Sequence, residues 1–204
     1  MTDAALVHVC RHGLVHNPEN ILYSRLPGFH LSETGRVMAD QLGAHFADVP
    51  VTHLRTSPLE RAQETMAPIA ARHEDVPVVV DERLIEAAST MQGQVKGPGS
   101  LRLLKPANWR YFLSRDGWGE GFKPMADRTT AAIIDAGLAA RPGGQAVLVS
   151  HQAPIWAARR LAEGKFLLNI PATRQCALAS VTTFAVTTSG TVSFVGYEEV
   201  VTTA

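Results

Sequence analysis

The stretch Val7–Asn17, VHVCRHGLVHN, holds three histidines four residues apart, one cysteine, and an arginine directly before the central histidine. On a helix, histidines at that spacing would share one face and could bind a metal ion. The surrounding sequence argues against a helix, because Ala4–Cys10 is short, apolar and β-prone, and Gly13 and Pro18 follow it. We therefore predict a buried strand that leads into a loop, and we predict no metal site.

Cys10 could in principle be a thiolate nucleophile. Phosphatases that use cysteine need an arginine six positions after it, and His16 occupies that position here. Because Cys10 ends a strand that is predicted to be buried, we interpret it as a packing residue.

Apolar strand-like segments alternate with helical patterns along the rest of the chain. The sequence Ser57-Pro58-Leu59-Glu60 has the composition of a helix start, with a serine cap and a glutamate that completes a capping box. This alternation predicts an α/β fold, a three-layer α/β/α arrangement with a mainly parallel central sheet. The predicted strands are Ala4–Cys10, Val51–Thr56, Val76–Asp81, Gln145–Ser150, Ala177–Val186 and Thr191–Tyr197, and the predicted helices are Ser32–Phe46, Ser57 to about His73, Asp127–Ala140 and Pro154–Glu163.

One segment, at about 87–124, does not follow this alternation. It is irregular and rich in glycine, proline, tryptophan and arginine, which predicts a small capping excursion. The 204 residues fit one domain, so we interpret 1–204 as a single domain that carries this cap.

Composition limits the possible partners. The formal net charge is zero, which does not favour nucleic acid or an anionic membrane surface, and no apolar run is long enough to span a membrane. Two cysteines are too few for a disulfide framework, and the N-terminus does not look like a signal peptide, so we expect a cytoplasmic protein. The oligomeric state is left open, a homodimer being one option.

Polar residues follow four of the predicted strands. Arg11 and His12 follow the first strand, Arg61 lies one turn into the helix after the second, Glu86 follows the third, and His151 follows the fourth. Because ligands of parallel sheets bind beyond the carboxyl ends of the strands, we expect these side chains to converge at one edge of the sheet.

This set of residues suits phosphoryl chemistry. Two guanidinium groups match a dianionic phosphoryl group, and a neutral histidine can attack phosphorus to form a phosphohistidine. A second histidine can stabilise the transition state, and a carboxyl group can protonate the leaving oxygen. No cofactor is required, and the expected partner is a small phosphorylated substrate.

Four sequence blocks occur in the same order as these candidate residues. They are Cys10-Arg11-His12-Gly13, Ser57-Pro58-Leu59-Glu60-Arg61-Ala62-Gln63-Glu64-Thr65, Asp81-Glu82-Arg83-Leu84-Ile85-Glu86 and Val149-Ser150-His151. On these blocks the chain resembles the histidine phosphatase superfamily, the phosphoglycerate-mutase-like proteins. The resemblance implies that His12 accepts the phosphoryl group and that Glu86 is the proton donor.

The same resemblance implies a phosphate pocket formed by Arg11, Arg61 and His151, with Asn17 as a further phosphate contact. Gly119-Glu120 matches a Gly-Glu element of the family, and its role here is left open.

Two departures from the family pattern favour a phosphatase over a mutase. Leu14 and Val15 follow the Arg-His-Gly triplet where mutases carry an acidic or amide residue and then serine, and 87–93 replaces the usual glycine-rich run. We therefore predict a phosphomonoester hydrolase, with two alternatives: a phosphoglycerate mutase, or a phosphoryl-binding module without turnover.

Overall fold

The computed structural model describes residues 4–95, 119–140, 143–166 and 174–201. Its centre is a six-stranded sheet with the order β3-β2-β4-β1-β5-β6. The third strand is shorter than predicted, because Val76 closes a turn onto His73 and Pro77 has no N–H to pair. The strands are β1 Ala4–Arg11, β2 Val51–Thr56, β3 Val78–Val80, β4 Gln145–Ser150, β5 Ser180–Thr187 and β6 Val192–Glu199.

The sheet is mainly parallel, as predicted. The pairs β1–β4, β2–β4 and β2–β3 are parallel, and β5 runs antiparallel to both β1 and β6. In the parallel part, Arg11 lies opposite Ser150, and Thr56 lies opposite Val149. The carboxyl ends of β1, β2 and β4 are therefore level, which brings the residues that follow them to one edge.

Helices cover both faces of the sheet in the described part of the chain. They are α1 Glu33–Phe46, α2 Glu60–Ala70, α3 Phe122–Ala139 and α4 Gln152–Ala162. Alternate residues of β4 contact the two layers: Val147 and Val149 pack with α1 and α2, and Ala146 and Leu148 pack with α3 and α4. This arrangement confirms the three-layer α/β/α fold.

The predicted starts of α3 and α4 were too late in the sequence, for one shared reason. Each helix was predicted to begin at or after its proline, yet Pro124 and Pro154 both lie at the third position of the observed helix. The N–H groups of a first helical turn have no partner within the helix, so proline is tolerated there.

The predicted capping box of α2 is wrong. Helix α2 begins at Glu60, its cap residue is Leu59, and no side chain caps it. The Ser57 hydroxyl is instead 2.8 Å from Nε2 of His151, 94 positions away in the sequence. The Ser57 hydroxyl therefore bonds His151, a residue distant in the sequence, and does not cap α2 as the local pattern predicted.

The predicted cap at about 87–124 falls mostly on 96–118, which lie outside the described residues. At its C-terminal end the prediction overlaps α3, which already begins at Phe122. The single-domain arrangement with a cap stays a prediction. None of the described helices combines the length and the apolar character needed to cross a membrane.

Candidate active site

The structure brings together the predicted phosphoryl acceptor, His12, and three of the side chains predicted to form the phosphate pocket. Arg11 is the last residue of β1, His12 follows it, His151 is the residue between β4 and α4, and Arg61 lies in the first turn of α2. The ring centroids of His12 and His151 are 5.1 Å apart. His12, His151 and Arg61 are all fully buried or nearly so.

The hydrogen bonding of His12 determines which ring nitrogen can react. Its Nδ1 lies 2.8 Å from the carbonyl oxygen of Gly13, and a carbonyl can only accept, so Nδ1 carries the hydrogen. Burial lowers the pKa of His12 well below its usual value, and the charges of Arg61 and Arg11 lower it further. The ring is therefore neutral, and Nε2 holds the free electron pair.

Arg61 is a buried cation held from one side only. Its Nη2 donates to the carbonyl oxygen of Ser24 at 2.7 Å, and its guanidinium carbon lies 4.7 Å from the ring centre of Tyr23. Its Nε and Nη1 are buried and have no hydrogen-bond partner among the described residues. A buried charge with two unsatisfied donors is costly, and an anion that accepts from both would remove that cost.

Arg11 has a similar arrangement. Its Nη1 donates to the carbonyl oxygen of Cys176 at 2.7 Å, which fixes the side chain, and its buried Nε has no partner within the described ranges. Burial raises the pKa of the Cys176 thiol to about 11 and also raises that of Cys10. Both thiols are buried and free, which agrees with a packing role for Cys10.

His151 is the second histidine of the cluster. Burial lowers its pKa well below the usual value, and electrostatic interaction with His12, Arg61, Arg11 and Arg128 lowers it further. Ser57 Oγ accepts from the N–H of Leu59 and can donate its own hydrogen to His151 Nε2. When Ser57 is the donor, the His151 hydrogen is on Nδ1, a buried atom without a partner in the part of the chain that the structure describes.

Glu86 lies close enough to this cluster to act on it electrostatically. Its charge raises the pKa of Arg61 and of Arg174, although burial, the larger effect, lowers both. The carboxylate accepts from the N–H of Ala87 at 2.8 Å. Its second oxygen is not engaged in that bond, and its proposed role as proton donor stays a prediction.

Asn17 uses its side chain within its own loop. Its Nδ2 donates to the carbonyl oxygen of Ile21, and its Oδ1 accepts from the N–H of the same residue. These two bonds close the loop after β1. The phosphate contact implied for Asn17 stays a prediction.

Three residues that sequence reasoning did not select belong to the site. Tyr23 and Ser24 hold Arg61, and Arg174 donates from Nη1 to Oε1 of Gln152, the residue after His151. None of them lies directly after a predicted strand, so the strand-end rule could not find them. The positive φ of Ser24, 37°, aims its carbonyl group and is invisible in the sequence.

Gly13 has a steric role that the triplet alone does not reveal. A Cβ atom at this position would lie 2.5 Å from the carbonyl oxygen of Gly35, in the first turn of α1. The loop after β1 can therefore pass against α1 only if residue 13 is glycine. Its N–H donates to Thr65 Oγ1, which ties the same loop to α2.

A family model described as the histidine phosphatase superfamily (branch 1) matches residues 7–197. The chain belongs to the histidine phosphatase superfamily. The resemblance predicted from the four sequence blocks is confirmed, and superfamily membership supports phosphoryl transfer as the class of chemistry.

Relatives of this superfamily member include the "Uncharacterized protein Rv0525" of Mycobacterium tuberculosis (strain H37Rv). The two are 46% identical over 184 residues, which cover 89% of this chain and 90% of the relative.

Solved structures of the superfamily share the fold at low identity. A phosphoserine phosphatase from Entamoeba histolytica, in complex with 3-phosphoglyceric acid, superposes with a TM-score of 0.76 at 20% identity, covering 96% of this chain and 97% of that one. The native mycobacterial glucosyl-3-phosphoglycerate phosphatase Rv2419c gives 0.75 at 22% identity, covering 94% and 97%. A phosphoglycerate mutase from Bacillus anthracis gives 0.71 at 18% identity, covering 94% and 91%.

The lowered pKa values of His12 and His151 predict how stability depends on pH. Below about pH 6.5 the unfolded chain protonates these histidines and the folded protein does not, so the unfolded state binds more protons and stability falls as pH falls. Each histidine contributes up to about 1.4 kcal/mol per pH unit. We expect His12→Asn to flatten the fall in unfolding temperature between pH 7 and pH 5, measured by calorimetry.

The control for this experiment is His16→Asn, which changes an exposed histidine in the loop after β1. It should show the pH dependence of the unchanged protein. Parallel curves for all three proteins would contradict a neutral, buried His12.

Proposed function

We propose that the protein is a phosphomonoester hydrolase that acts through a phosphohistidine at His12 on a small phosphorylated metabolite. The observation that carries the proposal is a neutral, buried histidine whose Nδ1 is bound to the Gly13 carbonyl, next to arginines with unpartnered donors in the described structure. A reactive nitrogen and donors for a dianion in one buried cluster are what phosphoryl transfer to histidine requires.

Binding of the phosphoryl group is assigned to three side chains. Arg61 would donate from Nε and Nη1, Arg11 from Nε, and His151 from Nδ1. All four donors are buried, so little water competes with the substrate, and each is already oriented by another bond of its side chain or by its helix. Preorganised donors of this kind stabilise charge that moves onto the equatorial oxygens in the transition state.

In the first half-reaction, Nε2 of His12 attacks phosphorus and the bond from phosphorus to the leaving oxygen breaks. Glu86 in its protonated form transfers its proton to that oxygen, so the alcohol leaves neutral. The imidazole gains positive charge, which the Gly13 carbonyl stabilises through the Nδ1 hydrogen.

In the second half-reaction, the Glu86 carboxylate takes a proton from a water molecule that attacks the phosphohistidine. The bond between phosphorus and Nε2 breaks, inorganic phosphate leaves, and both His12 and protonated Glu86 are restored.

The direct test is phosphate release from 4-nitrophenyl phosphate and from a panel of phosphorylated metabolites, with a chelator present. We expect turnover that chelation leaves unchanged. Transfer of phosphate between the hydroxyl groups of a phosphoglycerate, without net release, would instead identify a mutase. Vanadate binding without turnover on any substrate would identify a phosphoryl-binding module.

A second test separates the role of Glu86 from that of the nucleophile. In Glu86→Gln we expect kcat/KM to fall about 10²- to 10⁴-fold for an alkyl phosphate, because its strongly basic leaving oxygen needs a proton. For 4-nitrophenyl phosphate the loss should stay below about tenfold, because its weakly basic oxygen leaves without one. Steady-state kinetics on both substrates measure the difference. Equal losses on the two substrates would show that Glu86 is not the acid.

The reaction is expected to take place in the cytoplasm, a location that the two free, buried thiols support.

A further inference from the structure

The segment 83–87, which carries Glu86, is held at four of its carbonyl oxygens by side chains from elsewhere in the chain. These donors come from α3, from the end of β4 and from the loop after β1. Arg128 Nη1 donates to the Arg83 oxygen, Ser150 Oγ to that of Leu84, Arg25 Nε to that of Glu86, and Ser24 Oγ to that of Ala87.

Two of these donors are joined by one carboxylate. Glu120 accepts from Arg128 Nε at 2.6 Å and from Arg128 Nη2 at 3.0 Å, and it accepts from Arg25 Nη2 at 2.7 Å. The carboxylate is largely shielded from solvent, with 16% of its side chain exposed. Burial, the largest single effect, acts to raise the pKa of Glu120. The hydrogen bonds and charge of Arg128, the charge of Arg25 and a hydrogen bond from the Ala88 backbone together outweigh it and lower the pKa, so the group is charged.

The backbone before Glu120 is also fitted to this segment. Gly119 pairs with Ser89 in an isolated bridge, and a Cβ atom on Gly119 would lie 2.6 Å from the carbonyl oxygen of Ala88. Its φ of 123° is accessible essentially only to glycine. Gly119 therefore lets Glu120 approach the chain that follows Glu86.

The charge arrangement explains why the carboxylate is needed. Arg25 and Arg128 both contact Glu120, so they are close together, and two guanidinium groups without a shared anion repel each other. About a third of the Arg25 side chain is exposed, so it can turn toward water if the carboxylate is lost. The Glu86 carbonyl would then lose its Arg25 donor, and the backbone that aims the Glu86 side chain would be free to shift.

We propose that Glu120 is a positioning residue that holds Glu86 in place for proton transfer. It does so by joining Arg128, which donates to the Arg83 carbonyl, to Arg25, which donates to the Glu86 carbonyl. This inference rests on the proposed function of Glu86. Neither Arg25 nor Arg128 was selected from the sequence, and the role of Glu120 was left open there. Ser24 also links this segment to Arg61, because its hydroxyl donates to the Ala87 carbonyl and its own carbonyl accepts from Arg61.

The test compares Glu120→Gln with Asp135→Asn. Glutamine keeps the shape of the Glu120 side chain, but its NH₂ group must face one of the two arginines, which are donors themselves. Asp135→Asn is the control, because it removes an exposed ion pair with Arg83 and leaves the contacts of Glu120 intact. In Glu120→Gln we expect kcat/KM for an alkyl phosphate to fall about 10- to 100-fold, the cost of a misplaced catalytic group. For 4-nitrophenyl phosphate, and for Asp135→Asn on either substrate, the change should stay within about threefold.

The comparison uses kcat/KM because this quantity reports the steps up to departure of the leaving group, where Glu86 acts as an acid. In a Glu86→Gln background, Glu120→Gln should cause no further loss on the alkyl phosphate, because the proton donor is already absent. Equal losses on both substrates, or additive losses in the double variant, would overturn the proposal.

Two further measurements keep the outcome decisive. If Glu120→Gln does not fold, Arg25→Met removes the same link from a more exposed position and should reproduce the leaving-group pattern. If the unchanged protein hydrolyses neither 4-nitrophenyl phosphate nor any phosphorylated metabolite of the panel, the proposed function has failed. Amide hydrogen exchange over 84–92 then decides the positioning role alone: faster exchange in Glu120→Gln than in Asp135→Asn supports it, and equal exchange overturns it.

Discussion

His12→Ala is expected to lower kcat by about 10⁴-fold or more on every substrate, including 4-nitrophenyl phosphate. The variant removes the atom that forms the covalent intermediate, and losses of this size are typical when a nucleophile is removed from a site that keeps its binding groups. A good leaving group cannot compensate, because the missing step is bond formation to phosphorus. Phosphate release and rapid-quench trapping of an acid-labile phosphoenzyme are the measurements.

The matched control is His16→Ala, four residues further along the same loop. His16 is exposed, and its backbone N–H donates to the carbonyl oxygen of His30. Replacing the side chain leaves that bond in place, so the change should not disturb the site. We expect its kcat to stay within about twofold of the unchanged protein. Phosphoenzyme that still forms in His12→Ala would place the nucleophile elsewhere.

Arg61→Met is expected to lower kcat/KM by about 10³- to 10⁵-fold, the range seen when an arginine that stabilises transferring phosphoryl groups is lost. In the same variant the free energy of unfolding without ligand should stay equal or rise. Arg61 is a fully buried cation with two buried, unpartnered donors in the described structure, and apolar replacements of such groups are often neutral or stabilising. Methionine is flexible enough to fill the space under Tyr23.

Thermal unfolding with and without vanadate measures both effects of this substitution. The unchanged protein should gain about 2.7 kcal/mol at a vanadate concentration 100 times its Kd, and Arg61→Met should gain far less. Arg72→Met is the control, because Arg72 lies just past the end of α2 and its guanidinium donates to the carbonyl oxygen of Pro68 at the surface. A large loss of ligand-free stability in Arg61→Met would contradict the view that the unpartnered donors of buried Arg61 destabilise the ligand-free protein.

For both His12 and Arg61, the residue could be selected from the sequence, but its atomic contacts could not. The Arg-His-Gly triplet predicts His12 as the nucleophile, and only the contact with the Gly13 carbonyl shows that Nε2 is the ring nitrogen with the free electron pair. Arg61 is likewise identifiable from its block. Which of its donors lack a partner, and its contacts with Tyr23 and Ser24, depend on how the loop after β1 folds over α2.

The wrong capping prediction for α2 has a tertiary cause. Ser57 satisfies every local rule for a helix cap, yet its hydroxyl bonds His151 because the level ends of β2 and β4 bring the two together. Local patterns describe what a residue can do with its near neighbours in the chain. They do not include competition from partners that the sheet brings alongside.

By itself, the sequence determined the order of strands and helices, because apolar periodicity reflects burial on each face of a layer. It also predicted that Arg11, His12 and His151 meet at one edge of the sheet, because the carboxyl ends of parallel strands lie together there. Only the tertiary structure decided which atoms of those residues are free to act and what holds them. The link from Glu120 to Arg25 spans 95 positions and has no local signature, because its geometry exists only after the layers have packed.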